Sequence, residues 1–170
     1  MKLAEFNTLP AAEVEPLLTD CCGSSRWVAR MAEQRPYETL EALHKAADSA
    51  WWKLDRDDWL EAFSHHPQIG DRPAAGSEAA QKWAAGEQSG ARAASDDVKT
   101  RLARANRAYF EKFGYIYIVC ATGKSAEAML AILNQRLQND APSEISVAAE
   151  QQRLITRIRL DKLLAGEEKS

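Results

Sequence analysis

Apolar residues recur every three or four positions over most of this 170-residue chain, and that spacing places them on one face of an α-helix. The clearest series are Trp27, Val28 and Met31; Leu40, Leu43, Ala47 and Trp51; and Val98, Leu102, Ala105 and Tyr109. A chain of this length can bury a core without disulfides or a metal ion. The pattern therefore predicts an all-α fold, a bundle of about seven to nine helices in a single domain over residues 1–170.

Residues that favour helix ends lie before and after these series. Side-chain oxygens at the first position of a helix accept hydrogen bonds from its unpaired backbone N–H groups, and glycine or proline commonly ends a helix. The predicted helix starts are Asn7 or Thr8, Ser25, Thr39, Asp55, Ser77, Ser95, Ser125 and Ser143. The predicted stops include Gly23, Pro36, Gly114 and Pro142.

One stretch does not have the helical pattern. Residues 115–121 are apolar and rich in β-branched and aromatic side chains, which favour strands. The chain offers no second stretch of this kind to pair with it, and an unpaired buried strand would leave backbone polar groups unsatisfied. We expect either the buried start of the next helix or an extended segment that lines a site.

Charge and cysteine content exclude several classes of protein. The net charge of −3 and the pI of about 5.7 provide no basic surface for nucleic acid or anionic lipid. No apolar run reaches the length of a membrane span, and residues 1–10 lack the pattern of a signal peptide. The three cysteines lack metal-ligand spacing. We expect a cytoplasmic protein with reduced, structural cysteines, no bound metal and a small-molecule substrate rather than a nucleic-acid or membrane partner.

The first candidate for chemistry is His66, which lies where regular structure must stop. Pro67 disfavours helical geometry at the preceding residue, and Gly70 permits backbone angles closed to other residues. A neutral imidazole on a rigid turn can both accept and donate a proton near physiological pH. His66 is therefore a candidate for proton transfer, although a histidine here could also simply cap the preceding helix.

A second candidate lies on the helix predicted to start at Ser77. Ala84, Glu87 and Gln88 are three and four residues apart and share one face of that helix. A carboxylate beside an amide can accept and donate hydrogen bonds to a urea-like group. The alternative is a solvated polar helix end, since both residue types are common on helix surfaces.

Gly123-Lys124-Ser125 resembles the end of a phosphate-binding loop. Such a loop needs a glycine five residues before Gly123, where this chain has Ile118. A helix cap is the better interpretation. Two other classes nevertheless stay open from these residues alone: a helical protein that binds phosphate or a nucleotide through this segment, and a helical interaction module without catalysis.

Four short motifs occur in an order and at separations typical of one enzyme family. They are His66-Pro67; Trp83 with Glu87-Gln88-Ser89; Lys112-Phe113-Gly114-Tyr115 leading into Ile118-Val119-Cys120-Ala121; and Arg159-Leu160. Together they resemble the 2-oxo-4-hydroxy-4-carboxy-5-ureidoimidazoline (OHCU) decarboxylases of uric acid degradation, over nearly the whole chain. The resemblance implies an all-α, cofactor-free enzyme that forms (S)-allantoin and carbon dioxide, and it suggests a homodimer.

The resemblance also implies roles for single residues. His66 matches the family's catalytic histidine, Glu87 and Gln88 match the polar pair that holds the substrate, and Arg159 matches a functional arginine on the last helix. We therefore expect catalytic roles for His66, Glu87 and Arg159. The expected substrate-binding residues are Pro67, Ala84, Glu87, Gln88, Tyr117, Ile118, Val119, Cys120, Ala121 and Arg159.

Two of these positions need comment. The segment from Tyr117 to Ala121 is expected to contact substrate through backbone groups, because most of its side chains are apolar. Ala84 departs from the family pattern, since many members have a serine there. A hydroxyl contact to the substrate is therefore missing at this position.

Overall fold

The computed structural model describes residues 1–70 and 76–165, which contain ten α-helices and no strand. The prediction of an all-α fold is confirmed. No helix in the described ranges is long and apolar enough to cross a membrane. The helices are α1 (Leu3–Thr8), α2 (Ala11–Cys21), α3 (Ser25–Glu33), α4 (Leu40–Trp52), α5 (Arg56–Ser64), α6 (Glu78–Glu87), α7 (Ser89–Arg92), α8 (Asp96–Phe113), α9 (Ala126–Arg136) and α10 (Ala141–Leu164).

The chain divides into two compact units. The first comprises Met1–Ala62 and the chain from Arg153 onward, and the second comprises Phe63–Gln152. Helices α5 and α10 each contribute residues to both units. The expectation of a single domain over residues 1–170 stays a prediction.

In the first unit, α3 packs against both α2 and α4. The apolar faces predicted for these helices are buried, with Leu18, Trp27 and Leu43 fully excluded from solvent. The indole N–H of Trp27 donates to the backbone carbonyl of Ala47 at 3.1 Å, so this buried polar group is satisfied.

In the second unit, α8 and α7 both pack against α9. Four aromatic side chains cluster there, and the Tyr109 ring lies 4.7 Å from Phe113, 5.8 Å from Tyr115 and 5.6 Å from Tyr117, centroid to centroid. Aromatic pairs at such separations contribute to stability beyond their buried area. This cluster fixes the chain where it leaves α8.

Most predicted helix ends are confirmed. The side chains of Thr39, Ser77, Ser95 and Ser125 each accept a hydrogen bond from a backbone N–H in the first turn of α4, α6, α8 and α9. Gly114 ends α8 with a left-handed backbone angle, φ 82°. Glycine adopts this conformation without the steric penalty that a Cβ atom brings.

Two helix starts were predicted wrongly. Asn7 and Thr8 do not begin a helix, because they lie within the short helix α1, and the Asn7 side chain instead pairs with backbone groups of Tyr37. Helix α10 starts at Ala141 rather than Ser143, since the Asp140 side chain accepts the backbone N–H of Ser143 at 2.8 Å. The described residues form ten helices where about seven to nine were expected, with the short α1 and α7 among them.

Candidate active site

His66 lies just beyond the end of α5, on the turn predicted from Pro67. Its backbone N–H donates to the carbonyl of Phe63 at 3.1 Å, and its side chain is half-buried. The ring atom Nε2 lies 2.6 Å from Oε1 of Gln152 on α10, and Gln152 is 0% exposed. The imidazole is therefore held by a buried amide that the sequence analysis did not identify.

Two further amides hold the segment that follows His66. Asn106 on α8 donates from Nδ2 to the carbonyl of Ile69 at 3.2 Å, and Oε1 of Gln88 accepts the backbone N–H of Gly70 at 3.1 Å. Gly70 has φ 97°, which disfavours any residue with a Cβ atom. Residues 66–70, which we call the histidine loop, are thus fixed by three amide side chains, from α8, from α10 and from the residue that caps α6.

The predicted polar pair lies at the end of α6. Glu87 is the last residue of that helix and Gln88 caps it, and both are half-buried. The hydrogen bond from Gly70 places the Gln88 amide beside the histidine loop. Ala84 is 5% exposed, so its methyl group packs inside the protein one helical turn before this pair.

The segment from Tyr117 to Ala121 is buried and forms neither helix nor strand, which rules out the buried start of a helix. Three side chains satisfy part of its backbone. Arg136 donates to the carbonyl of Ile118 at 2.5 Å, Gln151 accepts the N–H of Cys120 at 2.9 Å, and Lys124 donates to the carbonyl of Cys120 at 2.7 Å. Side-chain partners therefore replace the neighbouring strand that this segment lacks.

Consecutive glutamines on α10 link the two predicted regions. Gln151 binds the backbone of Cys120, and Gln152 binds the ring of His66. The histidine loop and the segment from Tyr117 to Ala121 therefore meet at the same turn of α10.

The short helix α7 also packs against this region through Gly90. A Cβ atom added at Gly90 would lie 2.3 Å from the carbonyl oxygen of Lys124, so only glycine allows the approach. Lys124 in turn binds the carbonyl of Cys120. The end of α6, with Glu87 and Gln88, is thereby held near the same backbone segment.

A buried ion pair supports that segment from the other side. Arg136 Nε lies 2.7 Å from Glu144 Oε1, the two side chains are 7% and 0% exposed, and the Arg136 guanidinium lies 4.8 Å from the ring centroid of Tyr117. Glu144 also accepts the Tyr109 hydroxyl at 2.5 Å and the Asn139 amide at 2.9 Å. Burial and the hydrogen bond to Glu144 raise the pKa of Tyr109, so this hydroxyl stays protonated and donates.

Arg159 belongs to the first unit. Its side chain is buried, and it donates to the backbone carbonyl of Asp20 at 3.0 Å, near the carboxyl end of α2. Cations are favourable at that end of a helix. This contact gives Arg159 a structural role, and its predicted role toward substrate stays a prediction.

The cysteines are buried, and none forms a disulfide. Burial raises the pKa of the Cys22 thiol to about 12, so it is neutral and unreactive at physiological pH. Across residues 1–70 and 76–165 no group of three or more His, Cys, Asp or Glu side chains is placed to hold a metal ion. The expectation that the protein works without a cofactor stays a prediction.

The segment that resembles a phosphate loop has structural roles. Lys124 binds the Cys120 carbonyl, Ser125 caps α9, and Gly123 occupies a turn with φ 75°. The Lys124 ammonium group is thus directed at the protein's own backbone. The helix cap predicted for Ser125 is confirmed.

A cavity of about 740 Å³ lies elsewhere in the second unit, among α6, α7 and α8. It begins beside Ile69 and Gly70, and the basic side chains of Lys82, Arg92 and Lys99 lie on its walls. These three side chains are exposed. None of the predicted site residues is among those that line it.

Comparison with known proteins agrees with the sequence motifs. Residues 7–161 match the family model described as OHCU decarboxylase, and the chain belongs to that family. It is 36% identical over 151 residues to the uric acid degradation bifunctional protein TTL of Arabidopsis thaliana, which covers 88% of this chain and 47% of that protein. It is 24% identical over 144 residues to the OHCU decarboxylase of Haloferax volcanii, with 84% of both chains covered.

The length of the relatives differs from that of this chain. The chain spans 47% of the Arabidopsis protein and 34% and 30% of two bifunctional Bacillus proteins.

Among solved structures, a crystal structure of OHCU decarboxylase in the presence of (S)-allantoin matches with a TM-score of 0.78 and 33% identity, over 88% of this chain and 98% of that one. A crystal structure of (S)-allantoin synthase shares the fold, with a TM-score of 0.73 at 21% identity.

Proposed function

We propose that this protein decarboxylates OHCU to (S)-allantoin and carbon dioxide in urate catabolism, without a metal or cofactor. The observation that carries the proposal is the convergence at α10, where Gln152 binds His66 and Gln151 binds Cys120. Family membership supports the same reaction, as does the match to a decarboxylase crystallised in the presence of (S)-allantoin.

The substrate can supply its own electron sink. Its carboxylate is attached to a ring carbon that also bears a hydroxyl group and adjoins a C=N bond. When carbon dioxide leaves, the bonding electrons form a double bond to the neighbouring carbon and the imine nitrogen takes up a proton, which gives an enol. The enol becomes a carbonyl when its hydroxyl proton is lost and the neighbouring carbon is protonated. A proton added to one face of the neighbouring carbon then fixes the S configuration, so the protein must orient the ring and direct that proton.

His66 is the proposed proton-transfer residue, because it is the imidazole held at the convergence of the site segments. Glu87 is proposed to orient either His66 or the ureido group, and Gln88 to bind the ureido or ring amide. Arg159 is proposed, from the resemblance, to bind an anionic or carbonyl oxygen.

The backbone segment and its neighbours complete the proposed site. Pro67 would hold His66 rigid, and Ala84 would offer no hydroxyl where the resemblance implies a serine in many family members. The residues Tyr117, Ile118, Val119, Cys120 and Ala121 are buried, so they would exclude water from the reacting carboxylate. A carboxylate with few water contacts loses carbon dioxide more readily.

The test compares His66→Asn with His65→Asn, the exposed neighbouring histidine. General acid–base assistance contributes about 10²–10⁴-fold to rate, so His66→Asn is expected to lose that much in single-turnover decay of fresh OHCU, with spontaneous decay subtracted. His65→Asn should retain the native rate. A loss below roughly tenfold in His66→Asn would contradict the role of His66.

Two accompanying proposals need separate measurements. Activity is expected to survive EDTA, and loss of activity restored by zinc would contradict the cofactor-free mechanism. We also propose a homodimer in the cytoplasm, as the family resemblance suggests. Sedimentation of the purified protein at its monomer mass of 18.9 kDa would overturn the dimer.

A further inference from the structure

We infer that Gln152 is a positioning residue that keeps the proton of neutral His66 on Nε2, so that Nδ1 is the basic atom of the ring. The inference rests on the proposed function only for the catalytic role of His66. The contact itself is independent of that role. It joins a half-buried imidazole to a fully buried amide of α10.

The hydrogen bond assigns the two ring nitrogens. The Nε2 atom of His66 lies 2.6 Å from Oε1 of Gln152. An amide oxygen only accepts, so the ring nitrogen facing it must carry a hydrogen. A neutral imidazole carries one N–H, and its other nitrogen then has the free electron pair. Nδ1 is therefore the basic atom, and it faces away from Gln152.

The chemical nature of Gln152 matters as much as its position. An amide accepts the Nε2 hydrogen but cannot take the proton, because it has no basic site comparable with a carboxylate. The proton on Nε2 therefore stays in place while Nδ1 gains and loses one. Gln152 orients the ring in the same way that outer partners orient metal-bound histidines.

The surroundings make this contact rigid. Gln152 lies on the buried face of α10, between Ala148 and Ile155, so its side chain has little room to rotate. Asn106 and Gln88 fix the two residues at the end of the histidine loop. The imidazole is consequently held at the ring and through the backbone that follows it.

The first experiment observes the ring directly by ¹H–¹⁵N NMR of histidine side chains. In the native protein we expect His66 Nε2 to be protonated, with a slowly exchanging hydrogen, and Nδ1 to be unprotonated. Gln152→Leu, of similar volume, should lose the slowly exchanging signal. A proton found on Nδ1 of neutral native His66 would overturn the inference.

The second experiment uses Gln152→Glu, which keeps an accepting oxygen. It should retain the Nε2 hydrogen bond, and the pKa of His66 should exceed that of the native protein, because an adjacent carboxylate favours the imidazolium. A residue that only fills space would leave the pKa of His66 unchanged. An unchanged titration midpoint would therefore contradict the inference.

Kinetics complete the test. Gln152→Leu should lower kcat about ten- to a hundredfold, the usual cost of removing an orienting partner, with KM changed by less than about twofold. Gln138→Leu, at an exposed glutamine, serves as the control and should match the native enzyme. A folded Gln152→Leu with native kcat would overturn the positioning role. If Gln152→Leu does not fold, Gln152→Glu supplies the decision by NMR.

The two proposals fail in different ways. If the native protein does not speed the decay of OHCU, the proposed function is wrong, whereas the NMR experiments still decide whether Gln152 fixes the His66 proton. If the native protein is active and His66 carries its proton on Nδ1, the inference about Gln152 is wrong and the proposed function stands.

Discussion

Replacing Arg136 by methionine tests how the buried backbone segment is supported. The side chain of Arg136 is 7% exposed and binds Glu144, which is 0% exposed. It also donates to the Ile118 carbonyl at 2.5 Å. Methionine has similar length and no charge, so Arg136→Met leaves a buried carboxylate without its cation and a buried carbonyl without its donor.

The expected cost follows from these contacts. Removing one partner of a buried ion pair typically costs about 3–5 kcal/mol, because the remaining charge stays out of water. Domains are stable by only about 5–15 kcal/mol, so this loss is a large fraction of the whole. Arg136→Met should therefore unfold at a much lower urea concentration than the native protein.

A double mutant separates charge from packing. Glu144→Gln removes the negative charge and keeps one accepting oxygen, which can serve either Tyr109 or Asn139, because these two donors bind different carboxylate oxygens of Glu144. In the Arg136→Met background it should restore roughly 2 kcal/mol, since no unpaired charge is then buried. The measurement is urea unfolding of the native protein, both single mutants and the double mutant, analysed as a thermodynamic cycle.

The result that refutes this reasoning is additivity. If Glu144→Gln destabilises the Arg136→Met protein by as much as it destabilises the native protein, the two side chains do not interact energetically. The ion pair would then contribute nothing to the support of the segment. A loss below about 1 kcal/mol in Arg136→Met would lead to the same conclusion.

Three further predictions concern stability. Gly90→Ala should lose about 1–3 kcal/mol of stability in urea unfolding, because the added Cβ would lie 2.3 Å from the Lys124 carbonyl oxygen. Gly86→Ala is the control, since nothing lies within 4 Å of its Cβ position, and it should gain up to about 1 kcal/mol. Equal effects of the two mutations would contradict the close packing at Gly90. Hydrogen bonds from the hydroxyl and then from the backbone N–H of Ser143 lower the pKa of Asp140 from 3.8. The stabilisation that this carboxylate contributes is therefore present above pH 3.8 and is lost as the pH falls further. Asp140→Asn should make the loss of stability at acid pH less steep. Burial raises the pKa of the Cys22 thiol from 9.0 to about 12. The contribution of this neutral thiol to the free energy of unfolding is therefore present below pH 9.0 and is lost as the pH rises toward about 12. If Cys22→Ala loses stability at alkaline pH as steeply as the native protein, this prediction is wrong.

Helix boundaries were predictable because their causes are local. A serine or threonine that caps a helix acts on a backbone N–H three residues away, as Thr39 and Ser95 do, so the signal lies in a few neighbouring residues. The start of α10 was misplaced by two residues because Asp140 and Ser143 are both good caps. Local chemistry allowed both, and Asp140 forms the cap.

The conformation of residues 115–121 could not be decided from sequence, because its hydrogen-bond partners are distant. Propensity favoured a strand, but no strand was available to pair with it. The backbone is instead satisfied by Arg136 from α9 and Gln151 from α10, which lie 18 and 31 residues from their partners. Only the tertiary structure brings those side chains to the segment.

Two of the three amides of the site, Gln152 and Asn106, were missed because glutamine and asparagine are ordinary surface residues, whereas Gln88 was predicted. A signal was nevertheless present. Gln152 lies four residues after Ala148 and three before Ile155, on the buried stripe of α10, and Asn106 has the same relation to Leu102 and Tyr109 on α8. A polar residue on an apolar helical stripe must find a buried partner, which marks it as a candidate for a structural or functional hydrogen bond.

The use of amides to hold the histidine loop has a consequence for how the protein responds to its solution conditions. Three side chains form hydrogen bonds to this loop, those of Asn106, Gln88 and Gln152. All three are amides and carry no charge at any ordinary pH. Acidification or added salt leaves their hydrogen bonds unchanged, whereas ion pairs would weaken. The frame beneath the imidazole therefore stays constant while the imidazole itself titrates. An engineer who wished to shift the working pH could alter the charge around His66 and leave the geometry of its loop intact.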